Sequence, residues 1–385
     1  MTQRSRFVFF AAIFLAGGLV WVPPATAQAA AISVTTAAVT VNPLPSTPST
    51  GTNVSAPCPG GTNLVGGGGF VYKAADPATV PSTTFWVKSM DPSDPSGTPF
   101  TDGSTDPSVW TTVSAFGPMS ETNDAATSFA MCDTNGPTAT VVETAVSSPA
   151  YVTQGNPPAK AIATCPVGTQ LVGGGILDTP NSSFNFLPKA SYPSDSSGNA
   201  PANGSLDPNS WTAYAGVGSP TGSEVNGAFA VCATAALPAV EVAVVDAPAP
   251  TTAGTFTNTT VACPSGTTLL DGGFAIDETV GTTSGLEPNQ GIHSRGSFPS
   301  DGSGNAVANG TVNAGFWTAV VQPGGQSTPN HFVHVFALCA QTAPANTIPE
   351  AKWPVLLVLS GLAVGGATII IIKRRGQTTT PRVAA

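Results

Sequence analysis

The sequence contains little charge and almost no histidine. Only 9% of its 385 residues are charged, and its three histidines, His293, His331 and His334, all lie in the last third of the chain. It has no Cys-x-x-Cys pair, so the zinc sites that use such pairs are not expected. Without a histidine in the first two thirds, no Ser-His-Asp set can recur along the chain. We therefore predict no metal site, no cofactor and no catalytic activity.

Basic residues are also scarce, and half of them lie at the two ends. Of 12 Lys and Arg, two precede residue 30 and four follow residue 372. The part of the chain between them therefore contains six basic residues and all 21 acidic residues, which gives it a net charge of −15. A surface of this sign repels the phosphates of nucleic acids and anionic lipid headgroups. This charge balance argues against nucleic acid as a partner.

The N-terminus has the pattern of an export signal. Arg4 and Arg6 precede an uncharged apolar run over 7–22, and small residues follow at 25–27. A positive region, an apolar core and small residues in this order predict a secretory signal peptide over 1–29, with an uncleaved anchor as the alternative.

A second apolar segment, 353–372, predicts a transmembrane helix, because twenty uncharged helical residues match the thickness of a bilayer. The basic tail 373–385 is then expected in the cytoplasm, and 343–352 forms a juxtamembrane linker. Gly361 and Gly365 have the spacing of close helix contacts, which predicts a weak homodimer; small residues merely tolerated in lipid are the alternative. We expect a single-pass protein of the cell membrane with its body outside.

The C-terminus also resembles the sorting signals of bacterial surface proteins, in which a short motif precedes an apolar helix and a basic tail. The motif would be Ile348-Pro349-Glu350, similar to the Pro-Glu-Pro type, with Ala351 in place of the second proline. The resemblance implies processing by a sortase-like enzyme and association with the cell wall.

Between the two ends, one set of phrases occurs three times. Each copy opens on Cys-Pro-x-Gly-Thr, continues with Pro-Ser-Asp and Trp-Thr, and closes on Phe-Ala-x-Cys. The opening residues Cys58, Cys165 and Cys263 are 107 and 98 positions apart. This spacing is that of a whole small domain, not of a solenoid repeat. It predicts three domains, here called the first, second and third copy, over 30–135, 136–235 and 236–342.

The copies are predicted to be all-β. Stretches such as WTTVSAF and WTAYAGV alternate apolar and polar residues, and 42 Gly and 37 Pro punctuate the chain. No amphipathic helix of useful length precedes residue 353. Short, regularly spaced strands of this kind favour a β-sandwich in each copy, with a closed barrel as the alternative.

The cysteines predict one disulfide in each copy, since all six lie in the exported body. Similar folding of the copies would join Cys58 to Cys132, Cys165 to Cys232 and Cys263 to Cys339. The rival scheme joins Cys132 to Cys165 and Cys232 to Cys263 across the linkers, and it would leave Cys58 with Cys339.

The glycine run in the opening phrase, 66–69 in the first copy, resembles a phosphate-binding loop. Such a loop leads into a helix and usually carries a lysine. Here strand-like residues follow, and no Gly-Lys-Ser or Gly-Lys-Thr occurs. We therefore predict that the glycines lie in a strand, where the disulfide or the tryptophan of the copy (Trp110, Trp211 or Trp317) approaches the backbone.

One polar pattern recurs in every copy. A cation lies four residues before each Pro-Ser-Asp phrase, and the phrase ends on an acid, which gives three pairs: Lys88 and Asp94, Lys189 and Asp195, Arg295 and Asp301. We expect an exposed ion pair across a turn, worth at most about 1 kcal/mol. The alternative is a ligand site that is repeated three times.

Other polar residues are given structural interpretations. Asp195 to Asn199 and Asp301 to Asn305 have a weak calcium-loop pattern, but few carboxylates accompany it and Thr98 replaces the Asn in the first copy. His331 and His334 lie three apart in an apparent strand, which places them on opposite faces, and we expect both at the surface.

The repeat, CPxGTxLxGGG…WT…FAxC over residues 55–340, resembles an uncharacterised unit of secreted and cell-surface proteins from high-GC Gram-positive bacteria. The resemblance implies a surface location and no particular chemistry. The sequence thus predicts a membrane-anchored, non-enzymatic structural or adhesion protein of the cell envelope. The alternative is a multivalent receptor for carbohydrates or other ligands, in which three weak sites act together; an exported hydrolase ranks third. Cell-envelope or extracellular glycans are the candidate partners.

Overall fold

The computed structural model describes residues 32–44, 51–74, 81–116, 123–134, 138–147, 159–179, 186–217, 225–234, 237–277, 291–323 and 331–341. Every regular secondary-structure element within these ranges is a β-strand, which confirms the all-β class. A search of the same ranges found no helix with the length and apolar character that a membrane span requires. The predicted signal peptide and transmembrane segment, with Gly361 and Gly365, lie outside the described residues.

The strands fall into three runs that correspond to the three copies. The first copy contains β1 Val34–Val41, β2 Gly51–Pro57, β3 Asn63–Lys73, β4 Phe85–Ser93, β5 Val109–Phe116 and β6 Asp124–Asp133. The second contains β7 Ala139–Ser147, β8 Ala159–Thr164, β9 Gln170–Thr179, β10 Phe186–Ser194, β11 Ser205–Leu206, β12 Ser210–Val217 and β13 Val225–Ala233. The third contains β14 Val240–Pro248, β15 Thr257–Ala262, β16 Thr267–Asp277, β17 Ile292–Ser300, β18 Phe316–Pro323 and β19 Phe332–Gln341.

The sheets cross the boundaries between copies. One sheet has the order β1-β6-β3-β17-β18-β15 and joins the first and third copies; we call it the 1–3 sheet. The 1–2 sheet has the order β2-β5-β4-β9-β13-β7, and the 2–3 sheet has the order β11-β14-β19-β16-β10-β12-β8. The copies are therefore connected cyclically. This corrects the expectation of three separate sandwiches, because each copy divides its strands between two shared sheets.

Position in the sheet explains the burial of each strand. The edge strand β15 alternates between buried and more exposed residues, whereas every residue of β6, in the interior of the 1–3 sheet, is buried. An interior strand that is covered on both faces has no solvent face and therefore no polar alternation.

Each copy encloses a tryptophan and closes with a disulfide. Cys58–Cys132, Cys165–Cys232 and Cys263–Cys339 are all bonded, which confirms the pairing within copies. Trp110, Trp211 and Trp317 are fully buried. The indole nitrogens of Trp211 and Trp317 donate to Ser191 and Ser297 at 2.9 and 2.7 Å.

The glycine run is the interior of a strand, as predicted, and its members face different neighbours. A Cβ on Gly174 would lie 2.4 Å from the ring of Trp211, within the same copy. A Cβ on the next residue, Gly175, would lie 2.1 Å from the carbonyl oxygen of Met90, in the preceding copy. Glycine is needed because the tryptophan and the neighbouring strand both approach the backbone closely.

Two β-bulges in each copy turn side chains toward the centre where the sheets meet. The register of β3 shifts between Leu64 and Gly66, and that of β10 shifts between Pro188 and Ala190. The residue omitted from the second ladder is Lys189. Lys88 and Arg295 occupy the same place in β4 and β17. A bulge changes the direction of a side chain relative to a regular strand.

Candidate functional site

The three predicted aspartates lie in exposed turns, and the carboxylate of each accepts hydrogen bonds from backbone amides of its own turn. A carboxylate oxygen of Asp195 accepts hydrogen bonds from the amides of Ser197 at 2.8 Å and Asn199 at 2.9 Å, and the other oxygen accepts the Asn199 side chain at 2.9 Å. Asp94 and Asp301 make the equivalent backbone contacts. The Asn199 hydrogen bonds lower the pKa of Asp195. The Asp-x-Ser-Gly-Asn pattern therefore forms a self-capped turn.

The cation of the second copy is buried away from its predicted partner. Lys189 is 2% exposed. Its Nζ donates to the carbonyl oxygen of Ile292 at 2.5 Å and lies 3.2 Å from Nδ1 of His293, both in the third copy. Burial lowers the pKa of Lys189 to about 7. The expected exposed ion pair with Asp195 is therefore wrong for this copy, because the bulge directs the ammonium into the interior.

The cation of the third copy reaches the first copy in the same manner. Arg295 donates to the carbonyl oxygen of Phe85 and lies with its guanidinium 5.1 Å from the ring centre of Trp86. Its Nε donates to Gln322 at 2.9 Å. Burial lowers the pKa of Arg295 to about 9, and Asp124 opposes this shift. Lys189 and Arg295 thus connect neighbouring copies, and Lys88 is likewise buried. The expected exposed ion pairs with Asp301 and Asp94 are therefore wrong as well, since both cations are buried.

A buried acid that sequence reasoning missed lies where the three glycine strands meet. Asp271 is fully buried, and its carboxylate accepts hydrogen bonds from the amides of Gly67 at 3.1 Å, Gly174 at 2.8 Å and Gly272. These glycines occupy the same place in the three copies. Burial raises the pKa of Asp271 well above its usual value, although the three amides oppose the shift. The signal in the sequence was the replacement of one glycine, since CPVGTQLVGGG becomes CPSGTTLLDGG.

The two neighbouring histidines are buried, which corrects their expected surface position. His331 and His334 are 3% and 1% exposed. His334 is buried because its strand, β19, lies in the interior of the 2–3 sheet, and His331 directly precedes that strand. Nδ1 of His334 lies 2.7 Å from a carboxylate oxygen of Asp246, and Nε2 lies 4.0 Å from Asp277. A search of the described ranges for groups of three or more potential metal-ligating residues found none.

An open cleft lies on the outer face of the 1–3 sheet, opposite to the face that contacts Trp110. It has a volume of about 260 Å³. Its walls come from both copies: Phe70, Tyr72, Thr127 and Phe129 belong to the first, and the loop 306–309 belongs to the third.

The equivalent place on the 1–2 sheet carries a phenylalanine ring. There Phe100 packs against Val141, Leu177 and Phe229. Phe100 and Val307 occupy equivalent positions in their copies. Their amides donate at 3.2 Å to the carbonyl oxygens of Pro92 and Pro299, which begin the Pro-Ser-Asp phrase of each copy. The ring of Phe100 thus lies on the 1–2 sheet at the position where the 1–3 sheet has the smaller Val307, in the wall of the cleft.

The chemistry beneath these outer faces also differs. Asp91 in the 1–2 sheet holds the position of Phe298 in the 1–3 sheet and of Tyr192 in the 2–3 sheet. Asp91 is 1% exposed, and burial, with a smaller effect of Glu143, raises its pKa well above the usual value. The three copies thus have the same backbone plan, but a different side chain lies at this buried position in each sheet.

No protein-family model matches the chain, and no curated protein matches it.

Proposed function

We propose that the protein is a non-catalytic structural or adhesion protein of the cell envelope, with its body outside the membrane and 353–372 as its anchor. The observation that supports it best is the use of buried polar side chains for contacts between copies. Lys189, Arg295 and Asp271 all bind backbone groups of other copies, so they hold the body together. The three disulfides further stabilise such a body and fit an oxidising compartment.

The alternative function, a receptor with three equivalent sites at the cation–acid pairs, has less support. Lys189 is buried, donates to Ile292 and lies beside His293, whereas Asp195 caps its own turn. A receptor that uses one cleft on the 1–3 sheet agrees better with the different side chains at equivalent positions of the three sheets.

Location and role are tested on intact cells. A membrane-impermeant amine reagent should label Lys160, which lies at the surface in the second copy, without cell lysis, whereas a cytoplasmic control protein should stay unlabelled. Deletion of the gene should weaken attachment or envelope integrity and leave the metabolite profile unchanged. Labelling only after lysis, or a defect limited to one metabolic conversion, would contradict the proposal.

A further inference from the structure

The cleft on the 1–3 sheet has an aromatic floor. The rings of Phe70 and Tyr72 are stacked with centroids 5.2 Å apart and an interplanar angle of 21°. Phe298, from the third copy, lies 4.7 Å from Phe70 and 5.9 Å from Phe129. Phe70 and Phe129 are almost fully buried, while Tyr72 is only half-buried, so its ring is the one that an incoming molecule can reach.

Hydroxyl groups line one side of this floor. The Thr40 and Thr127 hydroxyls lie 2.7 Å apart, and the Tyr72 hydroxyl lies 3.3 Å from that of Thr127. Each hydroxyl can both donate and accept a hydrogen bond. Asn309 contributes an exposed amide, whose Oδ1 accepts the Ala38 amide at 3.0 Å.

The lining carries no charge. The ten residues around the cleft include no Asp, Glu, Lys, Arg or His, although the body has a net charge of −15. A charged ligand would lose hydration here without gaining a partner of opposite charge. A complementary ligand is neutral. Its apolar face would pack on the Tyr72 ring, and its hydroxyl groups would hydrogen-bond to those of Thr40 and Thr127.

The size of the cleft limits the ligand further. A volume of about 260 Å³ is below the ~300–1,000 Å³ typical of drug-sized sites. One saturated ring fits this volume, and the rest of a longer chain would lie in solvent. A pyranose has the required apolar face, hydroxyl edge and size.

We propose that this cleft is a binding site for one neutral pyranose ring of a polysaccharide. The inference deepens the proposed adhesion role, on which it rests, by naming the ligand class and the place. The site exists only where the first and third copies meet, because Tyr72 and Thr127 come from one copy and Val307 and Asn309 from the other.

The equivalence of Val307 and Phe100 supplies a matched pair of variants. Val307→Phe should fill the cleft with a ring at the position that Phe100 holds on the 1–2 sheet, while Phe100→Val should leave the 1–3 sheet unchanged. Tyr72→Phe removes one hydroxyl and keeps the ring, and so separates stacking from hydrogen bonding.

The test uses the full chain in detergent and four probes, the methyl glycosides of glucose, galactose, mannose and N-acetylglucosamine, observed by saturation-transfer NMR. At least one should bind with a Kd of roughly 1 mM, as expected for a ligand with few contacts. Val307→Phe should weaken binding tenfold or more, Tyr72→Phe severalfold, and Phe100→Val not at all. Thermal unfolding of each variant checks that the fold is kept.

Two results would overturn the site. One is the absence of binding by all four glycosides, and the other is unchanged binding by a folded Val307→Phe variant. Binding of purified envelope polysaccharide to the same chain separates the two claims. If polysaccharide binds and Val307→Phe has no effect, adhesion stands and the cleft is wrong; if polysaccharide does not bind either, the adhesion role fails as well.

Discussion

The Asp271 carboxylate lies 2.8 Å from the amide nitrogen of Gly174, which is 97 positions earlier in the chain and belongs to another copy. Together with the amides of Gly67 and Gly272, this contact joins one strand of each copy through a single side chain. The position of Asp271, which is glycine in the other two copies, thus connects all three copies.

Removing this side chain should destabilise the whole body. In Asp271→Gly, three buried amides lose their acceptor, and each unpaired donor costs about 1–3 kcal/mol. We expect the free energy of unfolding in urea to fall by at least about 3 kcal/mol. Asp301→Asn, at an exposed turn, is the control and should change it by less than about 1 kcal/mol. Similar losses in both variants would mean that the central contacts contribute little.

The stability of the interface between the first and second copies should be sensitive to one added methyl group. Gly175→Ala would place a Cβ 2.1 Å from the Met90 carbonyl oxygen, so the two strands must separate. We expect a loss of about 3 kcal/mol, within the range of overpacked sites. At Gly227, in the adjacent strand, the nearest atom to an added Cβ is 3.4 Å away, and Gly227→Ala should be nearly neutral. Circular dichroism melts of the two variants should therefore differ by many degrees.

Lys189 should make stability depend on pH in the alkaline range. Its pKa is about 7 in the folded protein and near 10.5 when unfolded, so between these values only the unfolded chain holds the proton. Stability should therefore rise as pH increases from about 7 to 10, by an amount on the order of a few kcal/mol. Below pH 7 both states are protonated, and this contribution is constant.

The contribution is isolated by comparing variants over that range. Lys189→Met should remove the rise between about pH 7 and 9, whereas Lys160→Met, at a more exposed lysine, should largely retain it. Above pH 9 the lowered pKa of Arg295 adds a rise in both variants. Urea unfolding at pH 6, 8 and 10 provides the measurement. Parallel curves for the wild type and Lys189→Met would show that the ammonium stays protonated in the folded state.

Loss of one disulfide should cost a predictable amount. Cys165 and Cys232 are separated by 67 positions, and closing a loop of this length stabilises a fold by about 4 kcal/mol in the chain-entropy model. The double variant Cys165→Ala/Cys232→Ala should unfold at correspondingly lower urea concentration. A loss below about 1 kcal/mol would imply that the reduced, unfolded chain stays compact.

The second copy alone should not behave as a stable monomer. A fragment over 136–235 keeps its disulfide and Trp211 but loses the partners of β9 and β10, which pair with β4 and β16 in the whole chain. The exposed strand edges should promote self-association. Analytical ultracentrifugation should show oligomers or aggregates. A monomer with the same urea midpoint as the full chain would instead support three independent domains.

Local features could be predicted from the sequence because they depend on near neighbours. The pairing of Cys165 with Cys232 could be predicted because the motif repeats. The position of the glycines in a strand beside Trp211 could be predicted because no phosphate-binding motif follows them. Strand class follows from composition. These inferences do not depend on which copy supplies the adjacent strand.

Long-range pairing could not be predicted, because repetition makes the partners ambiguous. The strand that contains Gly175 could pair with a strand of its own copy or of a neighbour, since the copies share the same phrases. Lys189 illustrates a second difficulty. Its position before Pro193 suggested a turn, but β10 continues to Ser194, so the lysine is a bulge residue inside a strand. The burial of His334 likewise follows from the interior place of β19, which only the topology reveals.

The interior place of β19 has a mechanical consequence. Tension that enters the body from the C-terminal side pulls first on this strand, which is hydrogen-bonded along both edges, to β14 and to β16. Antiparallel ladders have bonds perpendicular to the strands, so a pull along β19 loads both ladders in shear, many bonds at once. Cys339, bonded to Cys263, transfers part of this force to the segment that precedes β16. The strand nearest the proposed anchor at 353–372 is therefore held by two ladders and a disulfide against extension.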